Sequence, residues 1–452
     1  MKITVLSGSP KGEDSVTYQY VRYVRKHFPA IEFTVRHIGQ DIRKIEADTS
    51  TYGGIIADIQ AADGVVWAFP VYHLSVPSQL KRFIELAFER SPDAFRGKYA
   101  TALTTSVHFY DHTAHNYVNG ISCDLGMRYV DGFSAEMDDL MKEAKREQLL
   151  KYFALFIDAI ESKRPTEVRF PPVPQGAPEY SSSALPETLA QLGARIALVT
   201  DATEEDVSLQ RMIATFKAYA GDVDVINLHS VKISGGCLGC IRCGYDNKCV
   251  YQDDYKAAYE RVMSADCIVY AGRIHDRSLS SRFKMYFDRS FFMGHTHSTG
   301  LKQIGYIVSG PLSALPDLRQ ELEARAGMGN SNLAMFVTDE GDSVENTSTL
   351  LGELARRLRQ GSSEGIYRPE SFLGVGGRLV FRDLVYRMSG VFGADYRFYK
   401  MYRLFDYPQK DLKNRLVNFG MRQLMRVPQV RKEFYSRIRS EMAGSYRKIV
   451  GE

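Results

Sequence analysis

The sequence predicts an α/β protein with two tandem doubly wound parallel sheets and a C-terminal basic helical extension. Short strand patterns alternate with helical patterns in both halves of the 452-residue chain, which is typical of parallel sheets covered by helices. The chain also exceeds the usual size of one domain, and a proline-rich segment divides it. We expect a first domain at residues 1–163, a linker at 164–190, a second domain at 191–362 and a tail at 363–452.

The first half shows four strand patterns rich in apolar and β-branched residues. Helical patterns lie around residues 18–28, 79–89 and 137–162. Because ligands bind beyond the carboxyl ends of strands in such sheets, the loops that follow the strands are the places to seek chemistry. The four strand patterns are KITVLSG, EFTVRHI, GVVWAFP and YATALTTS.

A proline-rich linker and a second series of strand patterns follow the first half. Six prolines between residues 164 and 187 exclude a regular helix and favour an extended spacer. The same alternation of strand and helix then returns, which predicts a second parallel sheet. Its strand patterns are RIALVTD, DVDVINL, CIVYAGR, IGYIVSG and LAMFVTD.

The tail carries the excess of positive over negative charge. From Arg378 to Glu452 there are 17 Lys and Arg against 7 Asp and Glu, so this stretch of the tail has a charge of +10 and the rest of the chain −6. Its aromatic, aliphatic and basic residues recur with helical spacing, which suits an anionic membrane surface or an acidic protein partner. A C-terminal helical cap explains the pattern equally well, and nucleic acid ranks last.

The N-terminus and the apolar runs indicate the compartment. The chain opens directly into a strand pattern without a signal-peptide layout, and no run approaches the roughly 18 to 20 apolar residues that span a bilayer. Cysteines suited to a metal centre rather than to disulfides fit a reducing environment. We expect a cytoplasmic protein that is at most peripheral to a membrane.

The loop after the first strand has the composition of a phosphate site. It supplies glycines, hydroxyls and one ammonium group before a helix N-terminus. An ordinary turn capped by Ser15 or Thr17 is the competing interpretation. The spacing matches neither a nucleoside triphosphate loop nor a dinucleotide fingerprint, so a mononucleotide is the better prediction. The residues are Gly8, Ser9, Lys11, Gly12, Ser15 and Thr17.

Four cysteines give the most specific chemical signal. Cys237, Cys240, Cys243 and Cys249 have the spacing Cys-x2-Cys-x2-Cys-x5-Cys, which predicts ligation of a 4Fe-4S cluster. Tetrahedral zinc is the second possibility, and a reduced structural loop the third. The other two cysteines are expected to be structural: one in a loop at position 123 and one in an apolar run at position 267.

The segment FPVYHLSVPSQLKRFIE, after the third strand pattern, completes a recognisable layout. Here the chain resembles the flavodoxin-like NAD(P)H-dependent FMN reductase superfamily, which implies two flavodoxin-like domains and bound FMN. The resemblance assigns the FMN phosphate to Ser9, Lys11, Ser15 and Thr17. It places Pro70, Val71, Tyr72 and His73 near the isoalloxazine, with further contacts from Thr105 and Ser106 in the loop after the fourth strand.

The cysteine motif is similar to that of the iron–sulfur flavoprotein branch. In simple members the phosphate loop and the cysteines share one domain, whereas here they lie in different halves, which suggests a tandem fusion. The second half has acidic residues in place of a phosphate loop, which would repel a phosphate and predict a lost FMN site. These are Asp201, Glu204, Glu205 and Asp206; Ser280, Lys284 and Asp288 still follow the family layout.

The resemblance implies an oxidoreductase that passes electrons between NAD(P)H or a ferredoxin-like donor and an unidentified acceptor, through FMN and a 4Fe-4S cluster. One alternative is a cluster-free NAD(P)H:quinone or FMN reductase with a structural or zinc-binding cysteine loop. Another is an electron carrier or scaffold that docks to a membrane complex. Fusion either replaces the family's dimer or leaves a homodimer of the fused chain. No catalytic residue is assigned, although His73 and His108 could deliver protons, and His295 with His297 could bind a metal.

Overall fold

Two parallel β-sheets carry the fold, one in each half of the chain. The computed structural model describes residues 1–174, 180–181, 193–293, 301–341 and 343–437. The chain divides into two compact units, Met1–Asp395 and Tyr396–Glu452. Both sheets belong to the first unit. The predicted boundaries at residues 163, 190 and 362 remain predictions, and His295 and His297 lie outside the described residues.

The first sheet has the strand order β2-β1-β3-β4-β5, and β6 also pairs with β4. All of these pairings are parallel. The four predicted strands are present, and two short ones were missed. The strands are β1 (Lys2–Ser7), β2 (Glu32–Arg36), β3 (Gly64–Pro70), β4 (Tyr99–Ser106), β5 (Arg128–Tyr129) and β6 (Phe133–Glu136).

The second sheet has the order β11-β10-β9-β7-β8, again with parallel pairings throughout. Read from its other edge, this order is β8-β7-β9-β10-β11, which matches β2-β1-β3-β4-β5 of the first sheet: in each half the first strand lies between the second and the third. The predicted fold class is confirmed. The strands are β7 (Ile196–Thr200), β8 (Val223–Asn227), β9 (Cys267–Arg273), β10 (Gln303–Ser309) and β11 (Asn332–Thr338).

Helices connect the strands and continue into the C-terminal region. Those of the first half are α1 (Val16–His27), α2 (Ile38–Ala47), α3 (Thr49–Ala61), α4 (Ser78–Arg90), α5 (Asp111–Asp124) and α6 (Glu143–Glu161). Those that follow are α7 (Val207–Ala220), α8 (Tyr255–Met263), α9 (Ser281–Arg289), α10 (Pro316–Met328), α11 (Val344–Glu364), α12 (Phe372–Arg387), α13 (Gly393–Met401) and α14 (Leu412–Leu424). Residues 428–437 are also helical.

The core follows from the apolar patterning. β3, with the sequence GVVWAFP, is buried at every position except its last, as expected for a central parallel strand. α4 turns Leu80, Phe83 and Ile84 towards the same core, which is the i, i+3, i+4 face of an amphipathic helix. Cys123 was predicted in a loop, but it lies near the end of α5; its neighbours form a helical turn that single-sequence patterning did not reveal.

The two halves pack against each other through equivalent helices. The backbone N–H of Ser78, at the start of α4, donates to Asp288 Oδ2 at 2.8 Å. Reciprocally, the N–H of Ser281, at the start of α9, donates to Glu85 Oε1 at 2.5 Å. Each helix N-terminus therefore binds a carboxylate from the other half, which suits the positive end of a helix dipole.

A buried ion network reinforces this interface. Lys81 Nζ lies 2.8 Å from Glu85 Oε1 on its own helix and 2.8 Å from Asp276 Oδ2 of the second half. Lys284 pairs with Asp288 four residues later on α9. Burial alone would raise the pKa of Glu85, but the attraction of Lys81 outweighs it and lowers this pKa to about 2. The network therefore contributes stability only while its charges remain paired.

The C-terminal unit is described by itself. Its described part contains α14 and the helix at residues 428–437. Asp411 caps α14 by accepting a hydrogen bond from the N–H of Asn414 at 3.0 Å. Among the helices of the described residues, none is both long enough and apolar enough to cross a membrane.

Candidate functional site

The loop between β1 and α1 presents hydroxyls at a helix N-terminus. Ser9, Ser15 and Thr17 are buried, whereas Lys11 is half-buried. Ser15 is the N-cap residue of α1, yet within the described structure its side chain makes no capping hydrogen bond, and the first turn contains no acidic residue. This donor set, with one ammonium group beside it, fits a phosphate.

Two contacts fix the shape of this loop. Thr17 Oγ1 lies 2.6 Å from Thr105 Oγ1 in a buried hydrogen bond, which joins the start of α1 to the end of β4. The N–H of Lys11 donates to Ser9 Oγ at 3.3 Å. Thr17 and Thr105 therefore hold the loop to the sheet, although the sequence indicated only direct cofactor contacts.

The loop after β3, residues 71–77, is called the ring-side loop because it contains Val71, Tyr72 and His73, which the sequence analysis places near the isoalloxazine; Pro70 is the last residue of β3. Hydrogen bonds fix its backbone. The N–H of Val71 donates to Thr105 O at 3.1 Å, and the N–H of Tyr72 donates to Ser75 O at 2.9 Å. His73 and Leu74 have φ of 40° and 75°. Non-glycine residues in this left-handed region are uncommon and cluster where a ligand site constrains the backbone.

The loop after β4 lies at the same edge of the sheet. Thr105 and Ser106 were predicted in this loop, but they are the last residues of β4, because they continue its pairing with β6, and both are buried. The N–H of His108, in the loop itself, donates to Ser106 Oγ at 2.9 Å. His108 has φ of 56°, and its Nδ1 lies 2.8 Å from Asp111 Oδ2. The predicted residues of the three loops are thus brought together along the carboxyl ends of β1, β3 and β4.

His115 on α5 supports this loop and predicts a pH effect. Its Nε2 lies 2.7 Å from Thr104 Oγ1, and burial lowers its pKa to about 4. Since an unfolded histidine titrates near pH 6.5, the unfolded chain binds more protons between about pH 6.5 and 4. We expect stability to fall by about 3 kcal/mol as the pH drops through this window. Urea midpoints should show a weaker acid loss in His115→Gln but an unchanged loss in the exposed-residue control His27→Gln.

Two basic side chains of the second half donate hydrogen bonds to backbone carbonyls of the ring-side loop. Lys284 Nζ donates to Tyr72 O at 2.8 Å, and an Arg325 guanidinium nitrogen donates to His73 O at 2.8 Å. Cations on both carbonyls stabilise the turned backbone. The sequence identified Lys284 only as a remnant of the family layout and gave no sign of Arg325. The distances along the chain exceed 200 residues, so no local pattern could reveal these contacts.

The cysteine loop lies between β8 and α8, and a buried ion pair holds its base. Arg289 makes two contacts of 2.8 Å with Asp253, whose carboxylate also accepts from the N–H of Ser234 at 2.7 Å. Arg289 donates to Gly235 O at 3.0 Å and stacks over Tyr251 at 4.4 Å. The sequence analysis missed Arg289, which is the last residue of α9 and lies far along the chain from the loop.

The cysteine loop meets the ring-side loop of the first half. A Cβ on Gly239 would lie 1.8 Å from the Tyr72 hydroxyl oxygen and 3.2 Å from Lys11 Cε. Gly239 also has φ of +60°, so only glycine fits this approach without strain. Next to it, Gln79 Nε2 donates to Cys237 O at 3.2 Å. The loop after β1, the loop after β3 and the cysteine loop therefore lie against one another.

The four sulfurs differ in environment. Cys240 is exposed, and the other three cysteines of the motif are partly buried. Burial raises the pKa of Cys237 to about 12 and that of Cys243 to about 11. Across the described residues, no three of these sulfurs lie within 4.8 Å of one another. Outside the motif, Cys267 is buried in β9.

The corresponding loops of the second half are occupied by the chain's own carboxylates. Asp206 is the N-cap residue of α7, and its Oδ2 accepts from the N–H and the hydroxyl of Thr203 at 2.9 Å each. Arg273 lies 3.2 Å from Asp206 Oδ1. After β11, Asp339 accepts from Ser309 Oγ at 2.6 Å and from the N–H of Gly310 at 2.8 Å. Carboxylates of the chain itself thus accept the hydrogen bonds that these loops donate.

Comparisons with known proteins agree with this layout. The family model described as NADPH-dependent FMN reductase matches residues 1–137 and 204–340, more than half of the chain. No curated protein matches.

Solved structures with similar folds include the apo form of an NADH:FMN oxidoreductase (EMOB), with 22% identity, 34% of this chain and 87% of that chain covered, and a TM-score of 0.31. FerB, an NAD(P)H:(acceptor) oxidoreductase from Paracoccus denitrificans, has 21% identity, coverages of 36% and 97%, and a TM-score of 0.29. An FMN-dependent NADH-azoreductase from Bacillus anthracis, solved with FMN, has 12% identity, coverages of 36% and 98%, and a TM-score of 0.27.

The family match confirms the predicted superfamily and supports FMN as the cofactor. The iron–sulfur branch, the individual site residues and the tandem fusion stay predictions. The chain belongs to the NADPH-dependent FMN reductase family of flavin-dependent oxidoreductases.

Proposed function

We propose that this enzyme binds FMN in its first half and a 4Fe-4S cluster on its second half, and passes electrons between them. The observation that carries the proposal is the contact between the cysteine loop and the ring-side loop, where Gly239 lies against the Tyr72 hydroxyl. Flavin exchanges electron pairs with nicotinamides and single electrons with iron–sulfur clusters. Adjacent centres would allow a two-electron donor to supply one-electron chemistry.

The FMN phosphate would bind at the start of α1. Ser9 and Ser15 offer hydroxyls there, and Lys11 offers a positive charge. The isoalloxazine would lie along Pro70 to His73, with Thr105 and Ser106 behind it. Lys284 and Arg325 would stabilise the backbone of the ring-side loop, because they donate to the carbonyl oxygens of Tyr72 and His73.

The cysteine loop suits a cluster better than zinc. Structural zinc sites usually take two ligands from each of two separated segments. Here Cys237, Cys240 and Cys243 fall within seven residues of one loop, as in ferredoxin-type cluster ligation. Arg289 and Asp253 would anchor the loop that holds it.

A tandem fusion explains how one site draws on both halves. Ser78, Lys81 and Glu85 of α4 recur as Ser281, Lys284 and Asp288 of α9 with a constant offset. The reciprocal contacts of these helices resemble a two-fold dimer interface, in which the same surface appears on both partners. We infer that an ancestral homodimer became one chain, with flavin kept by one half and the cluster by the other.

Cofactor analysis tests the proposal directly. The chain would be purified without oxygen, and iron, sulfide, zinc and FMN would be measured per chain together with the visible spectrum. About four iron and four sulfide with one FMN are expected. Zinc, or no metal, beside FMN would favour a cluster-free quinone or FMN reductase. Flavin reduced only by a protein donor, and not by NADPH or NADH, would favour a ferredoxin-linked carrier.

An acidic residue at the first helix N-cap should abolish FMN binding. Ser15→Asp copies Asp206 of the second half, whose carboxylate fills the equivalent place. We expect FMN affinity to fall at least about 100-fold, since like charges in contact cost several kcal/mol. Flavin retained after desalting and titration of the apoprotein with FMN would measure the loss.

Ser15→Ala is the matched control, because it removes the hydroxyl without adding charge. Its FMN affinity should fall by about tenfold or less, as for one neutral hydrogen bond. Equal affinities for Ser15→Asp and the parent protein would place the phosphate elsewhere.

A further inference from the structure

The C-terminal unit exposes an apolar helix face bordered by cations. Leu412, Leu416 and Phe419 of α14 recur at i, i+4 and i+7, so they share one face. Their exposed fractions are 67%, 72% and 57%. Val417 and Leu424 border that face and are also more than half exposed. Apolar side chains clustered in this way on a surface mark an interaction site.

The opposite face of α14 is polar. Asn414 and Asn418 lie one turn apart there, and Arg415 and Arg422 lie two turns apart beside them. Residues 396–437 contain eleven Lys and Arg against three Asp and Glu, which leaves a surplus of eight positive charges. The helix at residues 428–437 continues the pattern, with Phe434 and Tyr435 partly exposed next to Arg431 and Lys432.

We propose that the C-terminal unit binds the surface of an anionic lipid bilayer, with α14 lying in the plane of the interface. An anionic bilayer supplies both an apolar layer for Leu416 and Phe419 and phosphate headgroups for the cations, within the width of one helix. An acidic protein supplies the charge but needs a matching apolar groove. Nucleic acid offers no layer that would bury the aliphatic side chains. The proposal concerns a surface outside the redox site and does not rest on it.

Vesicle co-sedimentation of the full chain tests this surface. One set of vesicles would contain phosphatidylcholine alone. The other would contain about 30 mol% phosphatidylglycerol as well, which gives the surface a negative potential that attracts polybasic segments. We expect at least about tenfold stronger binding to the anionic vesicles than to the neutral ones. About 0.5 M NaCl should weaken this binding, because salt screens the attraction between the cations and the headgroups. Absence of binding to anionic vesicles, or equal binding to both kinds, would overturn the proposal.

Two variant pairs with the same charge change separate membrane insertion from simple charge attraction. Leu416→Glu with Phe419→Glu alters the apolar face, whereas Asn414→Glu with Asn418→Glu alters the polar face. All four positions are exposed, so both double variants should keep the parent's circular dichroism and Tm. We expect the first pair to lose binding at least about tenfold more than the second.

Equal losses in the two pairs would show attraction by charge alone and would favour an acidic protein partner instead. A vesicle-independent dimer in analytical ultracentrifugation, broken only by the apolar-face pair, would assign the face to a second copy of the chain. Either result contradicts the lipid proposal.

Discussion

Replacing Cys240 with serine is expected to remove the proposed 4Fe-4S cluster and to separate the proposed two-electron and one-electron activities. Cys240 is the exposed member of the motif, so the substitution removes a ligand without opening a buried cavity. We expect iron to fall from about four to less than about one per chain. Flavin reduction by NADPH should persist, because the residues proposed to bind FMN lie outside the cysteine loop. Reduction of a one-electron acceptor protein should fall by at least about tenfold.

The measurements are iron content, stopped-flow reduction of the flavin and steady-state reduction of the acceptor. Cys123→Ser is the control, since this partly buried cysteine lies on α5 outside the motif. It should keep iron and both activities. Unchanged iron in Cys240→Ser, or equal iron losses in the two variants, would contradict the assignment of the cluster to the cysteine loop.

The sequence predicted the sheets well because their signal is local. Strand patterns such as GVVWAFP are short, apolar and bounded by turns, and every predicted strand is present. β5 was missed because the two residues Arg128–Tyr129 carry no periodicity. Cys123 was placed in a loop for a related reason, since α5 has many polar residues and a weak apolar face.

The site was predicted in its parts but not in its assembly. Parallel strands bring their carboxyl ends together, so Ser9 and Tyr72, in the loops after β1 and β3, and Thr105, at the end of β4, could be expected to meet. The approach of Gly239 to Tyr72 depends on how α4 packs on α9, which no local pattern encodes. The constant offset between the two helices was the available signal, because repeated interface residues imply a repeated interface.

Asp206 shows a different limit of sequence reasoning. Its negative charge predicts the loss of a phosphate site, which stays a prediction, and in the structure its carboxylate accepts hydrogen bonds from the N–H and the hydroxyl of Thr203. The sequence indicated no nearby cation, yet Arg273 at the end of β9 pairs with Asp206 in space. Counting charges along the chain therefore predicted repulsion of a phosphate, but it missed the arginine that pairs with Asp206 in the folded chain.

Replacing Lys81 with methionine is expected to destabilise the first unit more than any single surface change. Lys81 is buried between Glu85 and Asp276. Without Lys81, Asp276 would keep its charge but lose this cation, and Glu85 would retain only Arg82 and the donors of Ser281. Breaking a buried ion pair in this way costs about 3 to 5 kcal/mol. Urea unfolding at neutral pH would measure the loss. Lys151→Met removes an exposed pair with Glu147 and should change stability by less than about 0.5 kcal/mol.

A double variant distinguishes lost charge pairing from lost packing. Lys81→Met combined with Glu85→Gln also removes the charge of one of the two carboxylates that lose Lys81. Its loss of unfolding free energy should therefore be smaller than the sum of the losses in the two single variants. Additive losses, or a Lys81→Met effect as small as that of Lys151→Met, would contradict the role of the network. Since α4 begins at Ser78, directly after the ring-side loop, a loosened α4 and α9 should also separate Tyr72 from Gly239. Electron transfer between the proposed centres should then fall more steeply than flavin binding, because only the transfer requires both halves to stay in contact.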